Sequence, residues 1–260
     1  MKRPTIFVPC TDLIIVPCLV LVTIGGIANN SAMAGQPLPA NAKFRGKTVA
    51  EWSFLQSEWA IATALGGQSL PDTVQNTQFL LGTFGPGTAE FDVTVRPGTA
   101  LVSPPFITFG ELYEDGTSDD PDALAPVIDQ IFNETQLEVT LDGNLVLSGT
   151  PAENSEYTYG FTDPLFFDEP IFYAEPQDRG GIKAVAALWT LGIGAVYHPL
   201  SPGEHTLHVL QDSPVFGFFD TTWHISVVTL GAKNIPEPTS VVLLALSSAL
   251  LIAQRRRAER

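Results

Sequence analysis

The sequence predicts a mainly β fold: an antiparallel β-sandwich or jelly-roll-like domain with one N-terminal helix, between a signal peptide and a C-terminal transmembrane helix. Many short segments alternate apolar and polar residues, which is typical of strands with one buried face. Turns containing Gly or Pro separate them, and helical periodicity is convincing only near the start of the central segment, residues 35–234. That segment is long enough for one domain with its own core.

One amphipathic helix is predicted within residues 44–67. Thr48 and Glu51 have the spacing of a capping box, which marks a helix start. Trp52 and Trp59 recur at helical spacing and are predicted to pack against a sheet. A carbohydrate-stacking platform is the alternative role for this tryptophan pair.

The strands are assigned from alternation and turn residues. Asp142-Gly143 between two alternating runs indicates a β-hairpin. Glu111–Asp122 is predicted as an acidic loop, Asp122–Phe132 is compatible with a short second helix, and the Pro- and Phe-rich stretch up to Gly181 is predicted as a loop. The predicted strands are Gln78–Thr83, Ala89–Val95, Thr99–Ser103, Leu137–Leu141, Leu145–Leu147, Tyr157–Phe161, Ala184–Leu191, Ala195–Leu200, His205–Leu210 and Thr221–Leu230.

Residues 1–34 have the pattern of a secretory signal peptide. Lys2 and Arg3 precede an apolar run over Leu13–Ile27, and Ala32 and Ala34 are small residues at the predicted cleavage positions. This pattern predicts export through the Sec machinery and cleavage by signal peptidase after Ala34, with an uncleaved anchor as the alternative. Both cysteines of the chain lie in this segment, so residues 35–234 contain no cysteine for a disulfide or a metal site.

The last 26 residues, 235–260, contain three ordered elements. Pro236-Glu237-Pro238 is followed by an uncharged apolar run and then by Arg255-Arg256-Arg257. A helix over Thr239–Gln254 is roughly 24 Å long at about 1.5 Å per residue, slightly short for a bilayer, but arginine side chains extend to the head groups. A buried C-terminal helix is the alternative, although this run is apolar on all sides.

These three elements closely resemble the PEP-CTERM sorting signal of exported bacterial proteins, which are processed by exosortase, a membrane-embedded cysteine peptidase. The resemblance implies recognition at Pro236, Glu237 and Pro238 and transient residence in the inner membrane. It also implies removal of the tail and delivery to the cell surface or to extracellular polysaccharide. These residues are then a substrate signal and not a catalytic site.

Other motifs resemble a group of exported bacterial β-rich proteins. They are Ala50-Glu51-Trp52-Ser53, Pro97-Gly98-Thr99-Ala100-Leu101, Pro202-Gly203-Glu204-His205-Thr206 and Trp223-His224. This resemblance implies the β-rich fold and assigns no activity.

The chain is strongly acidic, with a formal net charge of −15. Between the two terminal segments, seven basic residues face 25 acidic ones, a net charge of about −18. Such a surface repels phosphates, which excludes nucleic acid as a partner, and it suits neutral glycans or divalent cations.

Two groups of residues are candidate metal sites. His208 and His224 on neighbouring strands, with Asp220, are candidates for a two-His-one-carboxylate site. The alternative is that these histidines are exposed or hydrogen-bonded strand residues that bind no metal. The acidic stretch Glu111–Asp122 offers oxygen ligands of the type that Ca²⁺ prefers, but lacks EF-hand spacing. No cofactor is otherwise expected.

No catalytic motif is recognisable, so a non-enzymatic protein of the cell surface or extracellular matrix is expected. Two alternatives remain open. A secreted hydrolase needs convergent carboxylates or histidines in a concave site. A glycan-binding module needs solvent-facing aromatic side chains in a row, and the candidates are Tyr157, Tyr159, Phe161, Phe166, Phe167, Phe172 and Tyr173.

Overall fold

A computed structural model describes residues 34–161 and 163–229. Ala34 is therefore described. The rest of the predicted signal peptide, including Ala32, and the sorting tail over residues 235–260 lie outside the described residues. Within the described part, no helix is both long and apolar enough to cross a membrane.

The described chain is mainly β, with thirteen strands and two α-helices. The helices are α1 (Val49–Ala64) and α2 (Pro121–Glu134), and a short 3-10 turn spans Ser155–Tyr157. The strands are β1 (Lys43–Phe44), β2 (Lys47–Thr48), β3 (Thr73–Val74), β4 (Thr77–Phe79), β5 (Gly87–Val95), β6 (Ala100–Tyr113), β7 (Gln136–Leu141), β8 (Asn144–Gly149), β9 (Thr158–Tyr159), β10 (Leu165–Asp178), β11 (Lys183–Tyr197), β12 (Gly203–Ser213) and β13 (Gly217–Val227).

Two large sheets organise these strands. The first sheet has the order β10-β11-β6-β4-β3, with β9 also paired to β11, and the second has the order β5-β13-β12-β7-β8. The prediction of purely antiparallel sheets is wrong, because β4 pairs with β6 and β5 pairs with β13 in parallel. Parallel neighbours need a long crossover. Residues 80–99 form this crossover between β4 and β6. The chain leaves the first sheet after β4, forms β5 in the second sheet and then enters the first sheet again as β6.

The main hydrophobic core contains residues from both sheets. Trp189 and Ile193 of the first sheet and Leu207, Trp223 and Ile225 of the second are almost completely buried in this one cluster. Burial of both inner faces in one core is the arrangement of two sheets packed face to face and is consistent with a β-sandwich.

Helix α1 packs on the first sheet, and its start is the predicted capping box. The Thr48 hydroxyl accepts from the Glu51 amide at 3.2 Å, while Glu51 accepts from the Thr48 amide at 2.6 Å. Trp52 and Trp59 are buried against Phe79. Packing is therefore confirmed for this pair, and the carbohydrate platform is wrong.

Three elements differ from the sequence prediction. Helix α2 (Pro121–Glu134) shows that the second helix considered over Asp122–Phe132 is present, so the fold has two helices and not only the N-terminal one. The predicted loop before Gly181 is β10, an edge strand whose Pro170 and Pro176 fall in two register shifts, where a missing N–H is tolerated. The two predicted strands around Gly192 and Gly194 are one strand, β11. A Cβ at either glycine would collide with a neighbour, so both glycines permit close packing there and do not form a turn.

Candidate ligand-binding cavity

A cavity of about 550 Å³, partly open to solvent, is lined by both sheets, α2 and the loop over residues 82–86. Strand β6 supplies one wall through Ile107 and Phe109, and β12 and β13 supply another through Val209 and Trp223. This volume lies within the roughly 300–1,000 Å³ range of small-molecule sites.

Most of the lining is apolar. Besides the residues just named, the apolar lining side chains include Leu65, Phe84, Pro86, Pro104, Pro105, Phe106, Leu124, Val127, Ile128, Ile131, Trp189, Val215, Phe216 and Phe219. Four of them, Phe84, Val127, Val215 and Phe216, are large hydrophobic residues that stay exposed to solvent. Exposed apolar side chains grouped around a cavity are typical of a binding site.

An ion pair between the buried Glu111 and the partly exposed Arg179 lies on the polar side of the cavity. The Arg179 Nε and Nη2 atoms donate to the Glu111 Oε2 and Oε1 atoms at 2.7 and 2.9 Å, and the Tyr173 hydroxyl donates to Oε1 at 2.8 Å. Both oxygens of this nearly inaccessible carboxylate are thus occupied by protein donors.

Asp119 is held beside this pair. Its Oδ2 atom accepts from the Glu111 amide and its Oδ1 atom from the Tyr113 hydroxyl, both at 2.9 Å. Burial and the hydrogen bond to Asp119 raise the pKa of Tyr113 to about 12. Burial and then the Glu111 carboxylate raise the pKa of Tyr173 as well. Both phenols therefore remain protonated donors near neutral pH.

These contacts bear on the hydrolase and calcium hypotheses. Glu111 and Asp119 both line the cavity, but each of their four carboxylate oxygens already accepts a hydrogen bond from a protein donor, which disfavours either carboxylate as a general base. The calcium hypothesis concerns the acidic stretch Glu111–Asp122. Within it, Asp115 accepts from Thr117, and Asp120 caps α2 by accepting from the Asp122 amide at 3.0 Å. In the part of the chain that the structure describes, no group of three or more His, Cys, Asp or Glu side chains is placed to hold a metal ion.

The register of the second sheet separates the proposed metal ligands. His208 lies opposite Thr222, so Asp220 and His224 flank it on either side and are about 13 Å apart along β13. His208 contacts Asp220 at 2.8 Å, while His224 contacts Glu90 of β5 at 3.5 Å. The structure thus brings two of the three candidates together and gives the third a different partner.

His205 forms a third pair at the β7–β8 hairpin. Its Nδ1 atom lies 2.8 Å from the Asp142 Oδ2 atom, and its Nε2 atom lies 2.9 Å from the Ser201 carbonyl oxygen. Both ring nitrogens face acceptors, which suits the charged imidazolium. Burial lowers the pKa of His205, but the hydrogen bonds that its ring donates to Asp142 and to the Ser201 carbonyl oxygen outweigh it, so the net pKa is raised.

This pair predicts a pH-dependent contribution to stability. Because the folded pKa of His205 is raised, its contribution is complete below about pH 6.5 and is lost as the pH rises through the folded pKa. Asp142→Asn keeps an acceptor for the Thr206 amide and tolerates the positive φ of 52°, but removes the charge. We expect the wild-type advantage over this variant to fall by up to about 1 kcal/mol from pH 6 to pH 9, a modest value because Asp142 is 43 % exposed.

The measurement is urea unfolding of both proteins across this pH range. His205→Gln supplies the matched control, since Asp142→Asn in that background should cost the same at every pH. An equal pH slope in the presence and absence of His205 would contradict the assignment.

The proposed aromatic row is only partly exposed. Tyr159, Phe167 and Tyr173 are buried, so the glycan-binding hypothesis is wrong for these three side chains. Phe166 and Phe172 are 61 % and 62 % exposed on the edge strand β10 and are the strongest remaining aromatic candidates. Tyr157 and Phe161 are half-buried against the main core.

Sequence reasoning missed the cavity itself and the role of Arg179. The cavity arises from strands that are distant in the chain, and no local pattern marks it. One signal was present for Arg179, because the sequence has no other arginine between Arg96 and Arg255. A single arginine amid so many carboxylates indicates an ion pair with one of them.

Comparison with models of known protein families finds no match, and comparison with curated proteins finds no significant one.

Proposed function

We propose that this chain is an exported β-sandwich protein of the cell surface or extracellular matrix, which binds a small ligand in its cavity and is not an enzyme. The observation that carries this proposal is the mainly apolar cavity of about 550 Å³ with exposed hydrophobic side chains at its edge. The two carboxylates on its wall bind protein donors, which favours binding over hydrolysis.

The export route rests on the sequence. Signal peptidase and the Sec machinery handle the N-terminal segment, and exosortase handles the tail after transient insertion into the inner membrane. Extracellular polysaccharide is the expected surrounding of the delivered protein. Its strongly negative charge is suited to a neutral matrix and unsuited to nucleic acid.

Binding to the cavity is tested with 1,6-diphenylhexatriene, an apolar fluorophore that has no hydrogen-bonding group. We expect its fluorescence to rise on addition of the protein. Val127→Trp at the exposed edge of the cavity should weaken binding about fivefold or more, because the indole occupies the entrance. Gln130→Trp is the matched control, since it places the same side chain on the same helix away from the lining. Equal binding by both variants, or none by the wild type, would exclude this cavity as the site.

The sorting hypothesis is tested by mass spectrometry of the protein from bacteria with and without exosortase. We expect the C-terminal tail to be removed only when exosortase is present. Replacement of Pro236, Glu237 and Pro238 by alanine should abolish this removal, and Glu259→Ala should not. A chain intact to Arg260 in exosortase-positive cells would refute the hypothesis.

A further inference from the structure

Two polar side chains interrupt the apolar lining of the cavity. Gln211 of β12 and Thr221 of β13 both line it and are only 6 % and 5 % exposed. In the β12–β13 register Gln211 lies opposite Phe219 and Thr221 lies opposite Val209, which makes them diagonal neighbours on the inner face. Diagonal neighbours are about 7–8 Å apart, within reach of one small polar group.

Neither side chain hydrogen-bonds to another residue that the structure describes. The contrast with Ser213, two positions farther along β12, is direct, because its hydroxyl binds the Thr135 hydroxyl at 3.1 Å and the Phe216 amide at 3.3 Å. The polar atoms of Gln211 and Thr221 keep some accessible surface, and because both residues line the cavity, a group bound there can supply the missing hydrogen bonds. The amide of Gln211 and the hydroxyl of Thr221 can each donate and accept, so together they suit a neutral hydroxyl or carbonyl group.

The charges on the cavity wall argue against a charged ligand. The charged side chains of the wall are one guanidinium, that of Arg179, and two carboxylates, those of Glu111 and Asp119. The wall therefore carries a net charge of −1. That charge repels an anionic head group. An ammonium group must lose its hydration, which is costly, and each carboxylate oxygen of Glu111 and Asp119 already accepts a hydrogen bond from the protein.

We propose that the cavity binds an uncharged, mainly apolar small molecule whose polar group hydrogen-bonds to Gln211 and Thr221. This inference rests on the proposed ligand-binding function and adds the chemical class of the ligand. Shape and burial supply the affinity, and the two polar side chains select a neutral head group over a charged one.

The experiment uses the full exported chain and three eight-carbon probes: 1-octanol, octanoate and octylammonium. Each probe displaces 1,6-diphenylhexatriene, and the displacement gives its affinity. We expect octanol to bind about tenfold or more tightly than either charged probe. Gln211→Leu and Thr221→Val should each weaken octanol binding about 2- to 10-fold, the loss of one or two hydrogen bonds.

Both substitutions make the lining more apolar, so they should strengthen the binding of the fluorophore while they weaken that of octanol, an opposite pair of changes that loss of folding cannot produce. Thr222→Val is the matched control, because this neighbour of Thr221 faces the other side of the sheet. If either charged probe binds as tightly as octanol, or if Gln211→Leu and Thr221→Val leave octanol binding unchanged, the assignment is overturned. Failure of the wild type to bind the fluorophore refutes the binding function itself, a result distinct from loss of head-group selectivity.

Discussion

Gly110→Ala is expected to lower the free energy of unfolding by about 2–3 kcal/mol, at the upper end of the cost of overpacking a core. Gly110 of β6 lies opposite Trp189 of β11, and a Cβ built on Gly110 would collide with the Trp189 indole ring. The indole is almost completely buried and cannot retreat into solvent. Its Nε1 atom also donates to the Asp119 carbonyl oxygen at 3.3 Å, so a displaced ring loses this hydrogen bond.

Urea unfolding of Gly110→Ala beside Gly82→Ala measures this effect. A Cβ on Gly82 meets nothing within 4 Å, and Gly82 has an ordinary backbone angle, so its substitution should change stability by less than about 0.5 kcal/mol. Equal stability of the two variants would show that the indole relaxes freely at this site. Because Trp189 lines the cavity, Gly110→Ala should also weaken binding of the fluorophore.

Arg179→Met is expected to destabilise the protein by about 2 kcal/mol, because it leaves the Glu111 carboxylate buried without its cation. Loss of one partner of a fully buried pair costs about 3–5 kcal/mol. The smaller value applies here because the Arg179 side chain is 42 % exposed, whereas that of Glu111 is only 7 % exposed. Tyr173 still donates to the carboxylate and supplies part of the compensation.

The double variant Glu111→Gln with Arg179→Met separates the loss of a cation from the loss of packing. It removes both charges and keeps an amide oxygen to accept from Tyr173, so it should be more stable than Arg179→Met alone. Unfolding free energies of the wild type, both single variants and the double variant complete the cycle. Additive costs would mean that the ion pair contributes nothing to stability.

The sequence alone predicted the features that depend on neighbouring residues. The capping box at Thr48 and Glu51 and the hairpin at Asp142-Gly143 are confirmed, because their hydrogen bonds join residues only a few positions apart. The alternating residues of β5 were recognised for the same reason. The prediction of export also rests on linear patterns at the two ends of the chain and remains a prediction.

Only the tertiary structure decided the candidate site. Glu111 and Arg179 are 68 positions apart and meet because β11 pairs with β6, which carries Glu111, on one side and with β10, which ends just before Arg179, on the other. The prolines of β10 hide this strand from a sequence-based assignment. His224 binds Glu90 in place of His208 because β13 pairs with β5 in parallel, which no local pattern specifies. Gln211 and Thr221 lie in ordinary alternating strands. Their place in the lining of the cavity follows from the gap between the sheets, since burial is set by distant elements and not by adjacent residues.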